Sequence, residues 1–216
     1  GFCKRKMFLI YNGYDFSNIK NLKIDKYLNK KISKFSQKKI ALFGRYEPIK
    51  GHETLINAIS LLKKENFHFK CFLISPNVSK VKSAVHKSVE KLGIKKYILF
   101  RNGSKLKFQK IMREIDILVL ASLSEGFPNI VAEAMSYGIP TIVTNVGDAK
   151  YIVGNTGWVV QPNKPKKLSL AIKKALNEVG SNKYYVRSKN AHQRIKNKFK
   201  INQTISLYNK AWYSII

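Results

Sequence analysis

Residues 114–148 read EIDILVLASLSEGFPNIVAEAMSYGIPTIVTNVGD, and this stretch decides the fold because a turn and an amphipathic run separate two short apolar runs. The stretch contains no Lys or Arg, although 41 such residues in a chain of 216 would place about seven in a window of this length. Five of the 12 acidic residues lie here. Since Pro is well tolerated at the first position of a helix, Pro128 predicts a helix that contains Glu133, with Glu125 before the turn. These two glutamates are the first candidates for chemistry.

The alternation of apolar strands and amphipathic helices continues on both sides of this stretch. Hydrophobic periodicity predicts strands over 39–43, 69–74, 97–100, 117–120, 141–143 and 157–160, and helices over 52–64, 79–92, 106–113, 129–137 and 165–178. Strands that are apolar throughout are typical of a parallel sheet covered on both faces. The sequence therefore predicts an α/β fold, a single Rossmann-like domain with a parallel sheet and helices on both faces, followed by two C-terminal helices.

The formal net charge of +29 favours polyanionic partners unless its distribution argues otherwise. Lysines occur almost everywhere outside the acidic stretch and form no single stripe. The densest block, residues 19–39, has eight lysines, one Asp and apolar residues at helical spacing, so it predicts an amphipathic basic helix. A solvated surface helix is the first interpretation of this block, and contact with an anionic membrane or another polyanion is the alternative.

The composition and the two cysteines predict a folded cytoplasmic protein. Apolar residues make up 44% of the chain and aromatic residues 12%, which argues against disorder despite the charge. We find no apolar run typical of a transmembrane helix and no secretory signal. Cys3 and Cys71 have no metal-binding or redox spacing and suit a reducing compartment.

Loops beyond the carboxyl ends of the strands are where open parallel sheets bind ligands. The candidates are residues 44–51, 122–127 and 145–148. The first loop combines Gly44 and Gly51 with Arg45 and Lys50, a set that would let the backbone approach a phosphate and neutralise it. It has neither the Walker spacing nor a dinucleotide fingerprint. The second loop precedes a helix N-terminus, which favours anions. The carboxylate of this loop can accept hydrogen bonds from hydroxyl groups. Together these loops suggest a sugar attached to a phosphate.

Two segments carry a family resemblance. They are GRYEPIKGHETLINAISLL at residues 44–62 and SEGFPNIVAEAMSYGIPTIVTNVGDAKYIVGNTGWVV at residues 124–160. The chain resembles the C-terminal, donor-binding half of the family 4 retaining glycosyltransferases, which have the GT-B fold. The likeness extends from about residue 11 to residue 178, and the spacing of Glu125 and Glu133 is its most specific element.

The resemblance implies a role for each motif residue. Arg45, Lys50 and Glu125 would be catalytic: the two cations would hold the donor diphosphate and stabilise the departing nucleoside diphosphate, and Glu125 would lie near the donor sugar hydroxyls. Glu133 would bind the ribose hydroxyls. The remaining donor-binding residues would be Gly44, Gly126, Phe127, Pro128, Asn129, Ile130 and Val131, chiefly through the backbone, although Pro128 has no N–H to donate.

The implied reaction is retaining transfer of a sugar from a nucleotide-sugar, normally UDP-linked and less often GDP- or ADP-linked. The acceptor would be a glycan or a lipid-linked acceptor in the synthesis of a surface polysaccharide such as a capsule or lipopolysaccharide, at the cytoplasmic membrane face. No metal and no other cofactor is expected, because the cationic pair replaces Mg²⁺. A non-catalytic nucleotide-sugar-binding module is one alternative. A basic scaffold for nucleic acid or anionic membrane is the other, but nucleic acid is not an expected partner of the glycosyltransferase.

The resemblance also divides the chain into three regions. Residues 1–14 would be the remnant of an interdomain linker, residues 15–180 the nucleotide-sugar-binding domain, and residues 181–216 a C-terminal helical extension. An N-terminal half would bind the acceptor, so activity of this chain alone is uncertain. We expect an exposed apolar face around Trp212, because the last helix of this fold commonly crosses back toward that half.

Each assigned residue also has an ordinary structural explanation. The alternative for Glu133 is an ordinary surface glutamate, and the alternative for Glu125 is a cap of the following helix. Asp148 fits an N-cap before residues 149–153. Arg45 and Lys50 fit solvated charges, while His52 fits a polar residue at a helix start better than a catalytic base. The structure has to distinguish these explanations from the functional ones.

Overall fold

The computed structural model describes residues 7–15, 37–76, 84–105 and 108–214, and the strands in these ranges form one six-stranded sheet. The strands are β1 (Lys39–Phe43), β2 (Lys70–Ser75), β3 (Ile98–Asn102), β4 (Ile117–Leu120), β5 (Thr141–Thr144) and β6 (Trp158–Val160). Their order is β3-β2-β1-β4-β5-β6, and every neighbouring pair is parallel. The predicted α/β class with a parallel sheet is confirmed.

The helices follow the strands in the predicted alternation. They are α1 (His52–Lys64), α2 (Ala84–Lys91), α3 (Phe108–Glu114), α4 (Asn129–Ser136), α5 (Ala149–Val153), α6 (Pro165–Glu178), α7 (Asn182–Lys198) and α8 (Ile201–Tyr213). The helices α1 and α6 have the predicted bounds. The predicted starts of α2 and α3 lie outside the described residues, as do Cys3 and nearly all of the predicted basic helix at 19–39.

The core lies on both faces of the sheet, because the side chains of each strand alternate between the two faces. Ile40 and Leu42 of β1 belong to the apolar cluster that also contains residues of α1 and α6. Ala41 between them belongs to the opposite cluster, which contains residues of α4 and α7. Strands β4 and β5 are buried at every position, as expected for a central parallel strand covered by helices.

The C-terminal helices divide into a packed helix and an exposed one. Helix α7 contributes Ala191 and Ile195 to the core, and the Tyr184 hydroxyl donates a hydrogen bond to the Asp116 carbonyl oxygen at 2.9 Å. Helix α8 leaves Trp212 64% exposed, which confirms the predicted exposed apolar face; Ile205, Leu207, Tyr208 and Tyr213 share this exposure. The predicted domain boundaries stay predictions. None of the described helices is both long and apolar enough to cross a membrane.

Replacing Ile195 by Ala tests whether α7 is part of the folding unit. Ile195 is fully buried, so we expect the Ile195→Ala variant to lower the free energy of unfolding by about 2–5 kcal/mol. Val186 lies on the same helix but is 48% exposed, and Val186→Ala should change this free energy by less than about 0.5 kcal/mol. Urea unfolding of both variants measures the difference, and equal effects would show that α7 is not integrated into the core.

Candidate functional site

The sheet has its topological switch point between β1 and β4. Strand β1 pairs with β2 on one side and with β4 on the other, so the connections from these two central strands leave in opposite directions. A crevice therefore opens beyond their carboxyl ends, between the loop at residues 44–51 and the loop at residues 121–128. The three residues predicted as catalytic lie on these two loops: Arg45, Lys50 and Glu125.

The two loops approach each other closely. Gly51 has a left-handed backbone with φ of 68°, and a Cβ atom there would lie only 1.9 Å from the Ala121 carbonyl oxygen. The Leu123 N–H donates to the Ile49 carbonyl oxygen at 2.8 Å. Only glycine fits such an approach without displacing backbone atoms. Gly51 therefore fixes the distance between the loops.

The third loop packs against the second in the same manner. A Cβ atom on Gly147, whose φ is 46°, would lie 2.2 Å from the carbonyl oxygens of both Glu125 and Gly126. The Asp148 N–H donates to the Gly126 carbonyl oxygen at 2.9 Å. Asp148 occupies the N-cap position of α5, but its side chain makes no capping hydrogen bond. The backbone between Glu125 and Gly126 is thus held from one side while its other side remains open.

The structure brings Lys50 and Glu125 together across the crevice. The Lys50 ammonium lies 2.8 Å from Glu125 Oε1, and the Ser122 hydroxyl donates to the same oxygen at 2.7 Å. The side chains are 26% and 15% exposed, respectively, so the pair is partly shielded from water. Glu125 therefore acts as a partner of Lys50 and not as a cap of the following helix. Ser122 is a member of this cluster that sequence analysis did not identify.

Arg45 does not join this pair. Its guanidinium lies 3.2 Å from Glu47 Oε1, and the two side chains are 65% and 42% exposed. An exposed pair of this kind contributes little to stability and is easily exchanged for another anion. Gly44 lies directly beneath Lys50, since a Cβ atom there would approach Lys50 Cγ to 3.2 Å. The first loop therefore offers one shielded and one exposed cation.

Glu133 lies on α4 and is half-buried between aromatic residues. Burial removes water from its carboxyl group and raises its pKa. Its negative charge in turn adds to the desolvation that raises the pKa of both Tyr14 and Tyr137. Within the described ranges, no hydrogen bond or ion pair involves the Glu133 carboxylate. A half-buried carboxylate without a partner is better suited to binding a ligand hydroxyl than to a surface role.

The residues between the two glutamates combine an open glycine with packed side chains. Around Gly126 the structure leaves open space, because a Cβ atom there would meet no atom within 4 Å. Phe127 packs with its ring 5.9 Å from that of Phe199, and Val131 is fully buried, so neither side chain is free for a ligand. Pro128 is the N-cap and α4 begins at Asn129, as predicted, and ends one residue earlier than predicted. Ile130 is partly buried against the same core.

Three residues near the N-terminus lie against this motif, and sequence analysis did not assign them to the site. Asn12 and Tyr14 each donate a side-chain hydrogen bond to Asn129 Oδ1, at 2.9 and 2.8 Å. The Tyr11 ring stacks on Tyr151 at 4.7 Å and lies 5.8 Å from Phe127. The sequence separation exceeds 110 residues, so no local pattern could reveal these contacts. The described residues also contain no cluster of three or more His, Cys, Asp or Glu side chains that could hold a metal ion.

An open parallel sheet with cations and carboxylates at its switch point defines a ligand-binding α/β domain of the Rossmann-like class. The chain belongs to the family described as glycosyl transferases group 1, whose model matches residues 37–178. The predicted family resemblance is therefore confirmed at the level of a group 1 glycosyltransferase domain, whereas the assignment to family 4 and the retention of configuration stay predictions.

This chain spans only about two fifths to three fifths of the length of the relatives described next. Protein CapJ from Staphylococcus aureus is 26% identical over 168 residues, which are 76% of this chain and 42% of CapJ. A glycosyltransferase structure from Rickettsia africae has a TM-score of 0.82 at 23% identity and covers 99% of this chain and 58% of that one. HepE from Anabaena, solved in complex with UDP, has a TM-score of 0.76 at 20% identity, with 96% and 57% covered. The two structures share the fold of this chain.

Adding a methyl group to Gly51 tests the close approach of the two loops. The Gly51→Ala variant should lose about 3 kcal/mol or more of unfolding free energy, because the side chain meets the Ala121 carbonyl oxygen and the backbone is left-handed. The matched control is Gly126→Ala, whose side chain enters open space and should change stability by less than about 1 kcal/mol. Chemical unfolding of both variants decides the point; a small effect of Gly51→Ala would contradict the geometry.

His52 predicts a pH dependence of stability. The imidazole is 2% exposed, neither ring nitrogen makes a hydrogen bond within ordinary geometric limits, and the ring meets Tyr46 edge-on at 5.1 Å. Desolvation lowers the pKa of His52 to about 4; the Lys50 charge adds to this, and a polar contact with the Glu47 backbone opposes it. The unfolded state binds a proton below about pH 6.5 while the folded state does not. Stability should therefore fall between pH 6.5 and 4.

The variant His52→Phe isolates this contribution. As the pH falls from 6.5 to 4, the wild type should lose up to about 3 kcal/mol of unfolding free energy relative to His52→Phe. Below about pH 4 the difference between the two proteins should stay constant. The exposed residue His68 supplies the control, since His68→Phe should keep the wild-type dependence. Urea titrations at several pH values provide the measurement. A difference that stays constant with pH would mean that His52 is protonated in the folded state.

Proposed function

We propose that this chain is the donor-binding domain of a glycosyltransferase and that it binds a nucleotide-sugar at the β1–β4 switch point. The observation that carries the proposal is the arrangement of the three charged groups in the crevice. Lys50 and Glu125 pair at 2.8 Å at one end, and Glu133 lies unpaired and half-buried on α4. A cation beside a carboxylate suits the junction of a phosphate and a sugar, while a lone carboxylate suits the vicinal hydroxyls of ribose.

The cations bind and stabilise the diphosphate in this proposal. Lys50 carries three N–H donors, so it can contact a phosphate oxygen while it remains near Glu125. Ser122 keeps Glu125 hydrogen-bonded when the ammonium is drawn toward the ligand. Arg45 is exposed and can exchange Glu47 for phosphate at little cost. Both cations then offset the negative charge that develops on the diphosphate as its bond to the anomeric carbon breaks.

The donor, the reaction and the acceptor are further parts of the proposal. UDP is the proposed nucleotide, and the complex of HepE with UDP on the same fold supports this choice. Transfer with retention, without a metal ion, to a glycan or lipid-linked acceptor in surface polysaccharide synthesis follows from the family 4 resemblance. The chain spans about two fifths of CapJ and three fifths of the Rickettsia enzyme, so an acceptor-binding half is proposed as a partner. A cytoplasmic location, peripheral on the membrane, is part of the same proposal.

The net charge of +29 favours a second candidate, a scaffold for anionic membrane or another polyanion. Binding of that kind would decrease steeply with salt and would not depend on Glu133. A non-catalytic nucleotide-sugar-binding module would instead bind the donor in the same way and differ only in lacking transfer.

Calorimetry of the 216-residue chain with UDP, GDP, ADP and UDP-glucose at moderate salt tests the proposal. We expect UDP to bind, and we expect Lys50→Ala and Glu133→Ala each to weaken binding about tenfold or more, because each removes a hydrogen bond that involves a charged group. The matched controls are Lys174→Ala and Glu90→Ala, which alter exposed residues of α6 and α2 and should leave the affinity unchanged. Weak binding with no difference between the site variants and the controls would refute the donor site and favour the scaffold.

A further inference from the structure

The segment that contains Asn12 and Tyr14 is fixed between the α7–α8 junction and the start of α4. The Tyr14 N–H donates to the Phe199 carbonyl oxygen at 2.8 Å, and the Ile201 N–H donates to the Tyr14 carbonyl oxygen at 3.2 Å. A Cβ atom on Gly13 would lie 2.5 Å from the Thr204 hydroxyl oxygen, so the segment packs too closely on α8 for any larger residue. Its position relative to α4 is therefore determined by backbone contacts.

Two side chains of this segment meet on one atom of α4. The Asn12 amide nitrogen and the Tyr14 hydroxyl both donate to Asn129 Oδ1, at 2.9 and 2.8 Å. An amide oxygen has two lone pairs, and these two donors occupy both of them. The Asn129 amide nitrogen then keeps both of its N–H groups without a partner in the described ranges, on a residue that is exposed.

Asn129 lies next to the carboxylate proposed to bind ribose. Glu133 follows it by four residues on the same helix, and residues at this spacing lie on one face. Burial and the Glu133 charge raise the pKa of Tyr14, so its hydroxyl stays protonated and remains a donor to Asn129. The exposed start of α4 thus offers two side-chain N–H donors, one helical turn before Glu133 and four residues after Glu125.

We infer that the Asn129 side-chain amide donates a hydrogen bond to a diphosphate oxygen of the bound nucleotide, and that Asn12 and Tyr14 are positioning residues that orient this amide. The inference rests on the proposed function: it adds a side-chain contact at Asn129, which the resemblance assigned to donor binding chiefly through its backbone, and two residues that act through that side chain. A phosphate oxygen suits the position because Asn129 stands between Glu125 and Glu133 in the sequence, at the first position of α4, and the diphosphate of the proposed ligand joins the sugar to the ribose. N–H donors at the first turn of a helix also favour an anion over a neutral group.

The inference is tested by comparing the affinities of the 216-residue chain for UDP and for uridine. Asn129→Ala should weaken UDP binding about tenfold, because a hydrogen bond to a charged oxygen is lost, and should change uridine binding by less than about twofold. Asn129→Asp should weaken UDP binding further, because it replaces the N–H donors with a negative charge. Calorimetry serves for UDP, and ligand-observed NMR serves for the weaker nucleoside.

A double-mutant cycle separates positioning from a structural role. Tyr14→Phe removes only the hydroxyl and should weaken UDP binding about threefold in the wild-type background but not in the Asn129→Ala background. Tyr151→Phe is the matched control, because Tyr151 lies in the same aromatic cluster, stacked 4.7 Å from Tyr11, and its hydroxyl does not bind Asn129. The control should bind UDP like the wild type in both backgrounds.

Each outcome bears on the inference. A loss from Tyr14→Phe that is equal in both backgrounds, or equal for UDP and uridine, would show a structural role and overturn the positioning assignment. If Lys50→Ala and Glu133→Ala weaken UDP binding but Asn129→Ala does not, the donor site stands and this inference alone fails. Absence of UDP binding to the wild type would overturn the inference together with the proposed function.

Discussion

The close packing of the loop after β1 on the loop after β4 is the constraint on which the rest of the site depends. Parallel neighbours end at the same edge of a sheet, so the loops that follow them lie close together. Gly51 permits this close packing because it has no side chain and adopts a left-handed backbone against the Ala121 carbonyl oxygen. Without that approach, the Lys50 ammonium would not reach Glu125. One backbone contact therefore brings the Lys50–Glu125 pair together.

The absence of positive charge from residues 114–148 has a physical explanation in this arrangement. Part of the stretch forms β4 and β5, where burial on both faces excludes charge altogether. In the remainder, a Lys or Arg added close to Glu133 would pair with its carboxylate and neutralise it. Among the described residues, Lys50 reaches this stretch at the crevice from another loop and contacts Glu125. Glu133 is thus kept available for a neutral hydrogen-bonding group such as a hydroxyl.

A segment near the start of the described chain meets the end of α7 at the proposed site. The Tyr11 ring contacts Phe127, and both pack against Phe199 at the end of α7. Asn12 and Tyr14 extend this contact to the first residue of α4. The motif between Glu125 and Glu133 therefore packs against the end of α7 and the segment at residues 11–14 as well as against its own sheet. A change in the position of residues 11–14 or of Phe199 would therefore displace this motif at the proposed donor site.

The sequence by itself determined the α/β class, nearly every strand and helix, and the motif residues, because hydrophobic periodicity and glycine turns are local signals. It also placed Lys50 and Glu125 on loops of the same sheet edge. Only the tertiary structure decided that Lys50 pairs with Glu125 while Arg45 pairs with Glu47, because ion pairs depend on distances between loops. The same holds for the contacts of Asn12 and Tyr14 with Asn129: hydrogen bonds across more than 110 residues leave no periodic trace in the sequence, and only folding brings these side chains together.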